Sequence, residues 1–263
     1  MPGLGKRYWD AFAIVTVALI VIASISWIYD HPFGISSDDA AYFNRILLDS
    51  KRIEQGGSEF FGGGFIFFAG SMLLEDRYRP PAYRLLVAPF VYVFGFSPIT
   101  VRLVSLGFFV VSLLLVYLTA RRIAGAAAGA FAVIFLCLCP DVIFASMVFG
   151  TEYPLYLATA GVLYFVFLNW DQNRDSLRNW VGLGIALGLG ALAKTSFLLV
   201  GPSVWVLSFV LSWRRIVAGP SPKCLLKAAA LGIIIALPWW ALNFSDAASE
   251  ATPSIRQPSP QMA

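Results

Sequence analysis

The sequence predicts an all-α polytopic membrane protein, with about seven transmembrane helices and short interfacial helices in a long first extracytoplasmic loop. Three observations carry this. Apolar residues fill 59% of the 263 positions and charged residues only 13%, where soluble domains are nearer a quarter charged. The apolar residues gather into runs able to cross about 30 Å of hydrocarbon at about 1.5 Å per residue. The basic residues collect at alternate ends of those runs, as the positive-inside rule requires. A mean hydropathy of +0.75 makes lipid the main solvent. The net charge of +4 needs no nucleic acid to explain it.

Lys6 and Arg7 precede the first run, from about Ala11 to Ile28. It ends in bulky Ser26-Trp27-Ile28-Tyr29 rather than a small-residue cleavage site, so it reads as an uncleaved anchor with a cytoplasmic amino end. The first loop spans about 29–97 and opens with SSDDAAYFNRILLD, residues 36–49. Ser36 or Ser37 can cap a short helix there, with Asp38 and Asp39 in its first turn. Phe43, Ile46 and Leu47 recur at helical spacing, as in a helix lying along the membrane surface. Gly62-Gly63-Gly64 lacks the Lys-Ser/Thr of a phosphate loop and reads as a flexible connector. Pro80 and Pro81 open a second interfacial helix.

Further runs cover about Ile99–Ala120 and Ala124–Pro140, separated by Arg121 and Arg122, and then Glu152–Asn169. The stretch Trp180–Trp213 is interrupted by Lys194. As one crossing it places Arg214 and Arg215 outside; as two short helices joined near Lys194 it places them inside, which is the preferred reading. The last span, about Leu225–Leu242, includes the aromatic anchor Leu237-Pro238-Trp239-Trp240. Seven crossings then put Lys6, Arg7, Arg121, Arg122, Arg174, Arg178, Arg214, Arg215, Lys223 and Lys227 on the cytoplasmic side. Asp38, Asp39, Arg79, Glu152 and Lys194 fall together on the other. Residues 1–245 form one transmembrane module, and 246–263, rich in Ser, Pro and Ala, read as a disordered tail.

Cys137, Cys139 and Cys224 match neither a zinc pattern nor a disulfide framework. His31 is the single histidine. A metal site would have to use carboxylate oxygens, Asp39 and Glu152, which suits magnesium or manganese. The plainest account of Asp38, Asp39 and Glu152 is that acids in a first helical turn add about 0.3–1 kcal/mol each. Arg79 and Lys194 have a similar account as snorkelling anchors. Lys194 resists it most, because a lysine within an apolar stretch usually faces a cavity.

Five segments in one order carry a resemblance: SSDDAAYFNRILLD, RYRPPAYRLLVAPFVYVFG, VRLVSLGFFVVSLLLVYLTARRIAG, TEYPLYLATAGVLYFVF and GLGIALGLGALAKTSFLLVGP. Together they resemble the amino-terminal half of GT-C membrane glycosyltransferases of the protein mannosyltransferase and aminoarabinose transferase type. The resemblance implies a polyprenyl-phosphate sugar donor, a lipid, protein or glycan acceptor hydroxyl, and inverting transfer. It also implies a multi-pass protein of the bacterial inner membrane, with its site facing the periplasm or exterior. Asp38 then matches the catalytic base and Asp39 the second acid of the pair. Glu152 matches the acid of the second loop, Arg79 and Lys194 the donor-phosphate cations, and Tyr42 and Tyr83 substrate-contacting aromatics. Members of that type continue through further spans, so a truncated or split product is also expected. The alternative is a transporter, flippase or scaffold of the same fold; carboxylates at one surface, with no internal repeat, favour the enzyme.

Overall fold

The computed structural model describes residues 2–31, 42–49, 51, 80–145, 152–168, 176–214 and 220–251, with the side chains of 2–6 and 245–251 excepted. Among these there is helix and no strand. The helices are α1 (Pro2–Asp30), α2 (Ala82–Phe94), α3 (Pro98–Leu138), α4 (Pro140–Ala145), α5 (Glu152–Leu168), α6 (Leu177–Ala191), α7 (Phe197–Trp213) and α8 (Pro222–Ala251). A further helical segment covers 42–49. By length and composition three stretches can each cross a membrane: Arg7–Asp30, Pro98–Leu138 and Pro222–Phe244. The shorter apolar helices Ala82–Phe94, Glu152–Leu168 and Phe197–Trp213 pack among them. The chain is an all-α membrane protein.

Helix α3 is two helical legs rather than one straight rod. A straight helix of 41 residues would be about 60 Å long, twice the hydrocarbon thickness. Gly125 breaks it with φ 90° and ψ 177°, a conformation that side-chain-bearing residues rarely adopt. The second leg folds back so closely that a Cβ on Gly129 would stand 2.9 Å from the Tyr117 carbonyl oxygen. The sequence places this break beside Arg121 and Arg122, and the structure puts it three residues beyond. The start of α3 follows simple rules: Ser97 Oγ accepts from the Thr100 amide at 3.0 Å, and Pro98 occupies the first turn.

Pairwise contacts fix the directions of the remaining helices. Helix α1 runs antiparallel to the first leg of α3. Its beginning is tied there by Asp10, which accepts from Tyr117 Oη and from Arg121 Nη2, the latter at 3.1 Å. Its end is tied by Arg102, whose Nη1 donates to the His31 carbonyl at 2.6 Å. Helices α5 and α6 are antiparallel: Gly161 meets Ala186, Gly182 faces Phe165, and Glu152 meets Lys194 just past the end of α6. Helices α6 and α8 are parallel, since Gly184 abuts Leu231 and Gly188 abuts Ile235. Helix α7, which follows α6 in the chain, packs beside the pair, with Trp205 Nε1 donating to the Leu225 carbonyl at 2.9 Å. The split at Lys194 expected from sequence is the turn between α6 and α7.

Three apolar clusters join these parts. One holds Ile28, Tyr42, Ile46, Tyr83, Val101, Phe109 and Tyr153, joining α1, segment 42–49, α2, α3 and the start of α5. A second packs α5, α6, α7 and the start of α8 through Val162, Leu183, Phe197 and Leu225. A third ties Ala82 to Leu192, Ala193, Ala236 and Trp239. Cys137 and Cys224 are buried free thiols, and Cys139 is half-buried. Helix α8 continues helically to Ala251; residues 252–263, most of the tail expected from composition, lie outside the described residues.

The α6–α8 contact depends on glycine because lipid supplies no hydrophobic drive between helices, so close backbone approach must do the work. A Cβ on Gly188 would meet Ile235 Cβ at 2.7 Å, whereas one on Gly107 meets nothing within 4 Å. Gly188→Val is therefore expected to cost about 1–3 kcal/mol through overpacking, and Gly107→Ala to be neutral or mildly stabilising. Unfolding by denaturant in detergent, read by tryptophan fluorescence, checks both.

Candidate active site

The ends of several helices meet at one end of the bundle. They are the end of α1, the start of α2, the start of α3, the start of α5 and the turn from α6 to α7. Glu152 is the first residue of α5, where its carboxylate also complements the helix dipole. Lys194 lies in the α6–α7 turn and donates from Nζ to Glu152 Oε1 at 3.1 Å. The Lys194 side chain is 45% exposed and that of Glu152 34%, so the pair is easily exchanged for other partners. The sequence expected an acid and a cation, 42 positions apart, to share one face; they are in contact.

The α6–α7 turn is fastened on two sides. The Ala82 amide, at the start of α2, donates to the Leu192 carbonyl at 2.9 Å. Trp240 Nε1, on α8, donates to the Ala191 carbonyl at 3.1 Å. These bonds occupy carbonyls that the end of a helix leaves open. They also bring the Pro80-Pro81-Ala82 corner to within two residues of Lys194. Arg79 immediately precedes that corner in the chain, but lies outside the described residues.

Tyr42 and Tyr83 meet edge to face, with ring centroids 5.6 Å apart. Both are buried. Ser105 Oγ gives its proton to the Val101 carbonyl at 3.1 Å, so the 3.1 Å contact between Tyr83 Oη and Ser105 Oγ has the tyrosine as donor. The two rings belong to the apolar cluster that joins segment 42–49 to α2 and α3. On segment 42–49 the buried positions are Tyr42, Ile46 and Asp49; Phe43 is partly buried against the same cluster, and Leu47 is half-buried. The inward acid is paired: Arg84 grips Asp49 through Nε to Oδ2 at 2.7 Å and through Nη2 to Oδ1. Hydropathy alone does not find such a residue, because an acid inside an apolar face looks like an error until its partner is known.

Asp38 and Asp39, the acids from which the sequence reading starts, lie outside the described residues. Asp39 stands three residues before Tyr42 in the chain. Among the described residues no three His, Cys, Asp or Glu side chains group as a metal site; Asp39, the expected partner of Glu152 around magnesium or manganese, falls outside them. A groove of about 510 Å³ runs between α6, α7 and α8, lined by apolar side chains including Leu187, Pro202, Trp205 and Ile233. Its Ala191 and Phe197 walls flank the turn that bears Lys194.

The family model for dolichyl-phosphate-mannose-protein mannosyltransferases matches residues 78–241, more than half of the chain. The chain belongs to this family. It is also similar to a curated relative from Pseudomonas fluorescens, undecaprenyl phosphate-alpha-4-amino-4-deoxy-L-arabinose arabinosyl transferase 2, at 28% identity over 164 residues. That alignment covers 61% of this chain and 28% of the relative, so the chain spans under a third of the relative's length. No solved structure matches. Glu152, Lys194 and Tyr83 lie within the family match; Tyr42 lies before it.

An exposed ion pair contributes little to folding, about 0–1 kcal/mol. Glu152→Gln and Lys194→Met are accordingly expected to shift the unfolding free energy by less than about 1 kcal/mol each, as read from denaturant curves in detergent. A larger loss makes the pair a structural brace.

Proposed function

We propose that the chain is a glycosyltransferase module that moves a sugar from a polyprenyl-phosphate carrier to an acceptor hydroxyl, with inversion at the anomeric carbon. The observation that carries this reading is the contact between Glu152 and Lys194, beside the Pro80-Pro81 corner, in a chain of this family. A carboxylate and an ammonium held by separate helices at one polar end suit a reaction that needs both a base and phosphate stabilisation.

In the proposed reaction Asp38 takes the proton of the acceptor hydroxyl as that oxygen attacks the anomeric carbon. The new glycosidic bond forms as the bond to the carrier phosphate breaks, and the leaving group departs as polyprenyl phosphate. Lys194 and Arg79 stabilise the charge growing on that phosphate, the arginine being able to bind two oxygens at once. Glu152 orients Lys194 between turnovers and lies close enough to receive a sugar or acceptor hydroxyl. Asp39 supports the base, and Tyr42 and Tyr83 hold the floor on which sugar and acceptor rest. The acceptor is a lipid, protein or glycan. The groove along α7 and α8 offers apolar surface beside Lys194, consistent with a long hydrocarbon carrier.

Residues 1–245 act as one module in this reading, with the site on the extracytoplasmic side of a bacterial inner membrane. The orientation is supported by basic residues at the other end of the bundle. Arg121 stands by the Gly125 break, Arg178 near the start of α6, Arg214 at the end of α7, and Lys223 at the start of α8.

Transfer from a radiolabelled polyprenyl-phosphate sugar by the purified chain tests the reading. Asp38→Asn is expected to lower kcat by about 10²–10⁴-fold, the usual worth of a positioned base. Lys194→Met is expected to raise the donor KM and also lower kcat, since its charge acts both on the bound phosphate and on the departing one. Equal absence of turnover in wild type and variants, all well folded and supplied with several donors and acceptors, would sink the enzyme reading.

A further inference from the structure

We infer that Arg102 and Arg84 form a two-point clamp that fixes both ends of the segment bearing Asp38 and Asp39, which makes them positioning residues for the transfer proposed above. The functional consequence rests on that reading; the clamp itself stands on geometry. Upstream of the acids, Arg102 Nη1 donates to the carbonyl of His31, the first residue after α1, at 2.6 Å. Its guanidinium also lies over the Trp27 ring, 5.3 Å from the centroid, and Trp27 stacks on His31 at 4.8 Å. Downstream of the acids, Arg84 holds Asp49 with two nearly parallel bonds. The chain between these points, residues 32–48, contains both acids.

Both pins stand on one platform. Arg84 adjoins Tyr83, whose hydroxyl bonds Ser105, and Ser105 lies one helical turn beyond Arg102 on α3. The starts of α2 and α3 are thus tied by the bond between the two arginines' neighbours. Tyr42 adds a third contact through its edge-to-face meeting with Tyr83, at the end of segment 42–49 that is nearer the acids.

The choice of residue is informative. Arg102 is fully buried and Arg84 nearly so, and removing a guanidinium from water is costly unless it is paired and hydrogen-bonded. Apolar packing alone could attach a short helix to the bundle. It would leave the helix free to slide and roll, because hydrophobic contact is non-directional. A planar fork on a carboxylate, and a charged donor on one backbone carbonyl, each admit a single register. A base misplaced by about 1 Å can lose about 10²-fold in rate. Pinning both ends of its segment is a direct way to prevent that.

Hydrogen exchange read by mass spectrometry, on the full chain in lipid nanodiscs, tests the clamp without requiring turnover. Arg84→Gln and Asp49→Asn are expected to speed exchange across 42–49 by about tenfold or more, because each removes the charged two-bond grip of Arg84 on Asp49. Arg102→Gln is expected to speed exchange in the last turn of α1. Peptides from α5 to α7 should exchange as in wild type. The double reversal D49R/R84D is expected to recover most of the protection. Arg84→Lys, which keeps the charge but not the fork, should recover only part and remains useful if Arg84→Gln fails to fold. In transfer assays the same variants should lose kcat about tenfold, with the donor KM changed by less than about threefold. Unchanged exchange over 42–49 in both Arg84→Gln and Asp49→Asn overturns the clamp, as does equal loosening of every helix. A protected wild type that transfers no sugar counts against the transfer reading, whereas exchange alone decides the clamp.

Discussion

In hydrocarbon every backbone polar group must find its partner within the helix, so each crossing is helical and each short connection turns the chain back. From that constraint the site follows. Helix α5 leaves the polar end at Glu152 and α6 returns to it at Ala191, so Lys194 arrives opposite Glu152 at 3.1 Å. The glycines along α5 and α6 keep the two helices close enough for the register to hold, since Gly182 faces Phe165 and Gly161 faces Ala186. Helix α8, parallel to α6, delivers Trp240 to the Ala191 carbonyl and so braces the same turn.

The polar end divides into a fixed part and an exchangeable part. Asp49–Arg84 is buried on both sides, and Arg102 is wholly enclosed while bonded to His31. Such groups are costly to separate. Glu152–Lys194 is water-exposed on both partners, and little is lost when one of them turns to a new ligand. In the proposed transfer this division has a use: rigid residues hold the frame, and the weakly held charges of Glu152 and Lys194 are the ones left to meet a charged lipid headgroup.

Much of the fold was legible in the sequence because hydropathy, glycine and charge asymmetry act locally. The break between the two legs of α3, the turn at Lys194 and the helix after Pro80-Pro81 were all read from neighbouring residues. The meeting of Glu152 and Lys194 was legible at one remove, through topology. What was not legible was the inward role of Arg84, Arg102 and Asp49. Their partners lie 35 and 71 positions away, and a charge near a membrane surface reads equally well as a snorkelling anchor. Segment 42–49 is helical, as the spacing of Phe43, Ile46 and Leu47 suggests, but that spacing carries no sign that Asp49 turns inward.

The account's central claim is that the acidic stretch before Tyr42 and the Lys194 turn belong to one site at one face of the membrane. The most direct measurement is the distance between spin labels at positions 39 and 194, by pulsed electron resonance in nanodiscs, with Cys137, Cys139 and Cys224 replaced by alanine. The expected result is a single population below about 20 Å, clearly shorter than the hydrocarbon core is thick. A distance of about 30 Å or more, the thickness of the hydrocarbon core, places the two on opposite faces and contradicts it.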